Sequence, residues 1–90
     1  QNAMGSSNIE TLYQIFDSRA EAIEFRINSG SPIIGKPLKD LKLKKDVLIG
    51  FINHKDTIII PSGNDMISEG DTVMIVTSHH GVTGIEDILQ

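Results

Sequence analysis

The chain has 90 residues and no cysteine, with a formal net charge of −4, 39% hydrophobic residues and 22% charged residues. A chain of this length forms one small domain, and its composition is that of ordinary soluble globular domains rather than of disordered or fibrous proteins. The lack of cysteine excludes disulfides and thiolate metal sites, the acidic balance argues against duplex nucleic acid as a partner, and no apolar stretch approaches the roughly 20 residues that span a bilayer.

The N-terminal residues carry a helical pattern. Gln1-Asn2-Ala3-Met4-Gly5 resembles a cloning remnant, so residues 1–7 are expected to be a remnant and a disordered lead to a domain cut from a longer protein. Ser7-Asn8-Ile9-Glu10 matches a capping box, and apolar residues follow at helical spacing at Ile9, Leu12, Tyr13 and Phe16. We therefore predict a short helix near residues 8–16 and assign residues 8–18 to a connector helix, ahead of one domain at residues 19–90.

After residue 18 the spacing of apolar residues changes from that of a helix to every second residue. Ile23, Phe25 and Ile27 alternate with polar residues, which predicts a half-buried strand over residues 19–28. Turn chemistry follows at residues 28–32. Pro37 then stands where a first helical turn tolerates proline, so a single short helix is predicted near residues 35–41.

Three more strands and a closing helix are predicted in the second half. Residues 47–53 and 57–61 read as two strands joined by a tight hairpin at His54-Lys55-Asp56. Gly70 marks a second turn before a strand at residues 72–77. Apolar residues then recur at helical spacing to predict an amphipathic C-terminal helix, at Val82, Ile85, Ile88 and Leu89.

The predicted fold class is therefore α+β, a small and mostly antiparallel sheet with short helices in the order β-α-β-β-β-α, preceded by the connector helix. Three of the strands are apolar on both faces, and two short helices cover only one face of such a sheet. A second copy of the chain is the simplest cover for the other face, so we predict a homodimer. The predicted interface residues are Leu48, Ile52, Met74 and Val76.

Positive charge is concentrated in the middle of the chain. Residues 36–55 hold six lysines and two aspartates, whereas residues 56–90 hold six acidic residues and neither lysine nor arginine. Ammonium groups clustered in this way could hold a phosphate-bearing ligand. The commoner explanation is a solvated surface that balances the acidic remainder of the domain or of a neighbouring subunit.

The polar residues show no pattern that predicts catalysis. The candidate metal ligands are His54, His79, His80, Asp71 and Asp87. Imidazole and carboxylate suit metals, but adjacent residues of a strand point to opposite faces, so we predict no metal site. Ser78-His79 lacks an identifiable orienting group, and no glycine-rich phosphate loop occurs. We therefore predict no catalytic residue and a protein that is not an enzyme.

Five segments in order resemble the C-terminal domain of TrkA-type potassium-uptake proteins, the RCK_C or TrkA_C domain. The resemblance covers about residues 19–89 and is fairly specific because the motifs keep their order and spacing. The segments are Ala20-Glu21-Ala22-Ile23-Glu24, Ile34-Gly35-Lys36-Pro37-Leu38-Lys39-Asp40-Leu41-Lys42-Leu43, Leu48-Ile49-Gly50-Phe51-Ile52, Ile59-Ile60-Pro61-Ser62-Gly63-Asn64 and Ile67-Ser68-Glu69-Gly70-Asp71-Thr72-Val73.

The resemblance implies a cytoplasmic regulatory domain, peripheral to the inner face of the plasma membrane. Such a domain follows a Rossmann-type nucleotide-binding domain, forms a homodimer and helps to gate the membrane potassium transporter subunit of a Trk/Ktr-type uptake system. NAD or ATP would belong to the Rossmann-type half, so no cofactor is expected in this fragment. Two alternatives stay open: a purely structural dimerisation domain, and the same domain attached to another transporter, such as a cation/proton antiporter or an anion permease.

The resemblance also points to a ligand position. In some relatives from Gram-positive bacteria this domain binds cyclic di-AMP at the dimer interface, through an Asp-Ile-Arg-like stretch after the short helix. The corresponding run here is Lys42-Leu43-Lys44, in which the aspartate and the arginine are both replaced. This departure argues against carrying over that ligand, and another small ligand remains open. The predicted ligand-binding residues are Lys42, Leu43, Lys44, Lys45 and Leu48.

Overall fold

One five-stranded antiparallel sheet organises the structure. A computed structural model describes residues 7–90, and its strands lie in the order β1-β2-β5-β3-β4. Among these residues the helical segments are two 3₁₀ turns, at Leu38–Asp40 and Ile85–Ile88. The strands are β1 (Ser7–Ile15), β2 (Ala20–Ile27), β3 (Val47–His54), β4 (Thr57–Ile59) and β5 (Thr72–Thr77).

The antiparallel sheet confirms part of the predicted fold class, but the predicted helices at residues 35–41 and 82–89 are wrong. The first is a 3₁₀ turn of three residues and the second one of four. Tertiary hydrogen bonds explain why neither grows. The Lys39 amide donates to the Gly63 carbonyl, and the Gln90 amide donates to the Lys42 carbonyl. In longer helices these amides would donate to carbonyls four residues earlier, but here they are bonded to distant segments.

The connector helix predicted at residues 8–18 is also wrong, because residues 7–15 form β1 and pair along β2. A bulge between Ile9 and Thr11 explains the helical spacing. It places Ile9 opposite Phe25 and Leu12 opposite Ile23, so two residues three apart share one face of the strand. The lead predicted at residues 1–7 lies outside the described residues, except for Ser7, which begins β1.

The core lies on one face of the sheet. Phe25 of β2 and Ile75 of β5 are fully buried there, beneath the segments that connect and follow the strands. Those covering segments supply buried residues of their own, namely Ile33, Ile67, Val82, Ile85 and Ile88. One copy of the chain therefore buries the apolar residues on this face of the sheet by itself.

The opposite face, which we call the open face, stays exposed. Residues paired across neighbouring strands share a face, and the pairs Ala22–Val76, Leu48–Val76 and Phe51–Met74 place the apolar residues of three strands together. Leu48 is 62% exposed, Phe51 44% and Ile58 61%. The prediction of a second apolar face on this sheet is therefore confirmed.

A bulge in β3 changes which residues belong to that face. The register shifts between Ile49 and Phe51, so Ile49 lies opposite Ile75 and Ile52 lies opposite Val73 on the core side. Ile52 is 1% exposed, and its assignment to the dimer interface is wrong. Phe51 takes its place on the open face. Gly50 sits at the shift, which is a common position for glycine in a strand.

The β3–β4 hairpin forms as predicted. Its two turn residues, Lys55 and Asp56, have φ angles of +49° and +65°, the left-handed conformation of a type I′ turn. The twist of such a turn matches that of the flanking strands, and it sets the register His54–Thr57, Asn53–Ile58 and Ile52–Ile59.

Candidate functional site

The predicted ligand residues lie on a strap at one edge of the domain. Leu43 is half-buried and forms a β-bridge to Leu89. The Lys44 amide donates to the Ile88 carbonyl, and the Gln90 amide donates to the Lys42 carbonyl, both at 2.8 Å. The backbone of residues 42–44 is therefore held against the C-terminal residues 88–90, while the three lysine side chains at 42, 44 and 45 are exposed.

A pocket of about 260 Å³, which we call the lysine pocket, opens beside this strap. Its lining residues are Pro32, Lys36, Asp40, Leu41, Lys42, Leu89 and Gln90. Of the predicted ligand residues only Lys42 lines it; Leu43, Lys44, Lys45 and Leu48 do not. Lys36 also lines the pocket but was not among the predicted ligand residues, although it belongs to the lysine cluster visible in the sequence. Its charged groups are two ammoniums and the Asp40 carboxylate, a net positive charge beside leucine side chains that suits an anionic group attached to an apolar or aromatic body.

The predicted interface residues fall into two groups. Leu48, Met74 and Val76 lie together on the open face, whereas Ile52 lies in the core. The predicted interface did not include Phe51 and Ile58. Strict alternation along β3 groups Ile52 with Leu48 and leaves Phe51 on the other side of the strand. Treating Gly50 as a bulge signal would have found Phe51.

A depression of about 290 Å³, which we call the hollow, lies within the open face. It is lined by Glu24, Phe51, Asn53, Ile58, Thr72 and Met74. Asn53 is one of these residues, and its Oδ1 atom is buried and has no hydrogen-bond partner among the described residues. Glu24 is the charged residue of the lining.

The histidines are used for separate contacts. His54 Nδ1 lies 2.6 Å from Asp71 Oδ1, while Asp71 Oδ2 accepts from the Ser68 amide at 2.9 Å. Asp71 is 2% exposed. The pair therefore fastens the end of β3 to the turn that leads into β5.

The other two histidines lie near the opposite end of β5. His79 Nε2 donates to the Lys45 carbonyl at 2.7 Å, so it does not act on Ser78. His80 Nδ1 lies 3.3 Å from Glu21 Oε2. Glu21 is 6% exposed, and its Oε1 atom has no partner. Within residues 7–90, no three His, Asp or Glu side chains are close enough to hold a metal ion.

Asp87 caps the C-terminal 3₁₀ turn. One of its carboxylate oxygens, Oδ2, accepts hydrogen bonds from the Thr83 amide at 2.9 Å, the Thr83 hydroxyl at 3.2 Å and the Gly84 amide at 3.2 Å. The Thr83 amide bond is the largest cause that lowers the pKa of Asp87, against a smaller opposing effect of desolvation. These bonds to the charged form favour ionisation.

The class of protein follows from this geometry: a small antiparallel-sheet domain that presents an apolar face and a basic pocket. Residues 22–90 match the family model of the TrkA-C domain. The chain therefore belongs to the TrkA-C domain family, as the resemblance in its sequence indicates. In the part of the chain that the structure describes, no helix is long and apolar enough to cross a membrane.

Similar proteins carry related names. Trk system potassium uptake protein TrkA homolog 2 of Methanosarcina mazei is 37% identical over 82 residues, which are 91% of this chain and 18% of that protein. A TrkA homolog of Pyrococcus abyssi is 32% identical over 72 residues, 79% of this chain and 32% of that protein. TrkA of Azorhizobium caulinodans is 26% identical over 82 residues. The chain spans only 18% to 32% of the length of these relatives.

The buried Asp71 generates a stability prediction. Asp71→Asn removes the charge that binds His54 and weakens the acceptor for the Ser68 amide, so we expect a loss of about 2 kcal/mol in the free energy of unfolding. For a domain of this size that corresponds to a fall of about 10 °C in Tm. Asp65→Asn is the matched control, since Asp65 accepts from the Ser62 amide in the same way but at an exposed site. Equal losses in thermal unfolding would contradict the role of burial.

The cap at Asp87 generates a pH prediction. Because its pKa is lowered in the folded state, Asp87 contributes stability above the unfolded pKa of about 3.9 and loses it as the pH falls through the folded value. Asp87→Asn should cost about 0.5 kcal/mol at pH 7, as for an exposed cap, and the cost should vanish below the folded pKa. Urea unfolding from pH 7 to pH 2 measures it. Glu86→Gln is the control, and a pH-independent cost for Asp87→Asn would refute the prediction.

Proposed function

We propose that this chain is a regulatory and dimerisation domain of a Trk-type potassium uptake system, and that it helps to gate a membrane potassium transporter subunit. The observation that carries this proposal is the TrkA-C domain match over residues 22–90, together with relatives named Trk system potassium uptake proteins. The domain acts by binding and assembly, because its surfaces supply an apolar face and a basic pocket rather than a set of catalytic groups.

The same family membership supports a place in a larger protein. Since the chain spans only 18% of the length of the Methanosarcina mazei relative, we propose that it follows a Rossmann-type nucleotide-binding domain. Nucleotide cofactors would bind to that domain. We propose a cytoplasmic position at the inner face of the plasma membrane, where the domain can reach the transporter.

The open face supports the homodimer. Large exposed apolar patches on soluble domains mark interaction surfaces, and here the exposed fractions of Leu48 and Ile58 are 62% and 61%. A second copy can cover the face by two-fold symmetry, because each copy offers the same patch to the other. The proposed interface consists of Leu48, Phe51, Ile58, Met74 and Val76.

The lysine pocket supports ligand sensing. Lys36 and Lys42 line it beside Leu41 and Leu89, with one carboxylate, Asp40, so the lining carries a net positive charge that suits an anionic ligand with an apolar or aromatic part. The exposed Lys44 and Lys45 stand outside the lining. A ligand that prefers one of two arrangements of the dimer shifts the equilibrium between them, and the transporter responds to that shift.

Potassium uptake in cells that depend on the full-length protein tests the function. Deleting the domain should change the rate or the regulation of uptake, and the double variant Lys36→Ala/Lys42→Ala should alter regulation while leaving assembly intact. Lys44→Ala/Lys45→Ala is the matched control and should behave as the wild type. Unchanged uptake after deletion would refute the proposal. A deletion effect with a silent pocket variant would indicate a purely structural dimerisation domain instead.

Ligand binding has its own test on the 90-residue chain. A thermal-shift screen with inorganic phosphate, cyclic di-AMP, ATP and NAD should give at least one anion that raises the unfolding midpoint. At a hundredfold excess over Kd the gain is about 2.7 kcal/mol, or roughly 10 °C or more for so small a domain. The shift should disappear in Lys36→Ala/Lys42→Ala and persist in Lys44→Ala/Lys45→Ala. An equal shift in both double variants would show that the ligand binds elsewhere.

A further inference from the structure

Two opposite charges stand side by side on the otherwise apolar open face. Glu24 and Arg26 are two residues apart on β2, so both side chains belong to that face. Glu24 is half-buried and lines the hollow, while Arg26 is exposed. Within the described residues the ion pairs are His54–Asp71 and His80–Glu21, so neither Glu24 nor Arg26 has a charged partner. A surface that carries both signs in this way is complementary to itself.

The lining of the hollow contains one carboxylate and no cationic side chain. Glu24 is its charged residue, and the other lining residues are neutral, namely Phe51, Asn53, Ile58, Thr72 and Met74. A guanidinium suits this site better than an ammonium, because its flat fork of donors can bond both oxygens of a carboxylate while its face packs on an aromatic ring.

Arg26 of the same copy does not fill the hollow. It lies opposite Thr72 on β5, and Thr72 lies opposite Asn53 on β3. These three residues form one row across the sheet, while Glu24, Met74 and Phe51 form the next row. Arg26 ends its row on the β2 side, with Thr72 between it and Asn53, and its side chain remains exposed.

We propose that two copies pack open face to open face, and that Arg26 of each copy enters the hollow of the other and binds the Glu24 carboxylate there. The two-fold axis runs perpendicular to the strands, midway between the two rows. It places the row that contains Arg26 in one copy over the row that contains Glu24 in the other. Arg26 then lies over Glu24 of the partner copy, about 10 Å away between packed sheets. This inference rests on the homodimer in the proposed function and names the contact that selects its partner and register.

The size of the face indicates why such a contact would matter. Five strands about 4.8 Å apart and about 20 Å long cover roughly 500 Å² per copy, or about 1,000 Å² in total. That is near the lower limit for a specific interface. With so little area, two symmetric charge pairs decide which surfaces associate, because like charges placed opposite each other are strongly unfavourable.

Charge reversal with cross-rescue tests the inference, using sedimentation equilibrium from micromolar to millimolar protein and circular dichroism to verify folding. Glu24→Arg alone and Arg26→Glu alone should each raise the dimer Kd at least tenfold, because like charges then face each other twice. An equimolar mixture of the two single variants should form heterodimers with nearly wild-type affinity, since every contact again joins opposite charges. The double variant Glu24→Arg/Arg26→Glu should also recover. Arg19→Glu, in the exposed β1–β2 turn, is the control for net charge.

The results of this experiment distinguish a failure of the Arg26–Glu24 contact from a failure of the proposed homodimer. If both single variants dimerise like the wild type, the dimer uses another surface and this inference is wrong, although the proposed homodimer stands. A wild-type chain that is monomeric at millimolar concentration overturns both. Weakening by the single variants without rescue in the mixture overturns the pairing of Arg26 with Glu24.

A neutral variant covers the case in which a charge reversal prevents folding. Glu24→Gln/Arg26→Gln removes both charges while keeping a polar side chain at each position, so it should weaken the dimer and abolish the increase in Kd that added salt causes in the wild type. A dimer of Glu24→Gln/Arg26→Gln that keeps the affinity and the salt dependence of the wild type would overturn the inference.

Discussion

The burial of one face of the central strand β5 is the constraint on which the rest of the structure depends. Val73 and Ile75 are fully buried and lie between β2 and β3, so the core forms where both neighbouring strands contribute to the same face. Every covering segment is fixed against that face, including the 3₁₀ turn that carries Ile85 and Ile88. A chain of 90 residues has little left with which to cover the other face, because small domains bury a smaller share of their surface.

Four strands could be predicted from the sequence because their apolar residues are dense and end at strong turn signals. The left-handed residues Lys55 and Asp56 and the glycine at position 70 act locally, so their effects can be read without tertiary information. The N-terminal strand could not be found in this way. Its bulge near Ile9 reproduces helical spacing, and only pairing with β2 decides between helix and strand. Both predicted helices failed for the same reason, since distant hydrogen bonds limit them to single 3₁₀ turns.

In the candidate sites too, some features could be predicted from the sequence and others appear only in the folded structure. The lysine cluster was visible in the sequence, but only folding separates Lys36 and Lys42, which line the pocket, from Lys44 and Lys45, which do not. The open face was predicted with one error, because the bulge after Ile49 reverses the side on which Phe51 and Ile52 project. The hollow could not be predicted at all. It needs Glu24, Asn53 and Thr72 from three strands, which no local pattern connects.

The strand β3 connects the two surfaces physically. Ile49 and Ile52 hold it to the core, while Leu48 and Phe51 belong to the open face. Before it in the chain, the Lys44 amide bonds to the Ile88 carbonyl, which ties the strap beside the lysine pocket to a residue buried in the same core. A bound anion that tightens this strap would therefore act on the strand that presents Phe51 to a partner copy. Because interfaces and packed cores move between discrete arrangements rather than deforming continuously, such a shift of β3 would favour one arrangement of the proposed dimer over another.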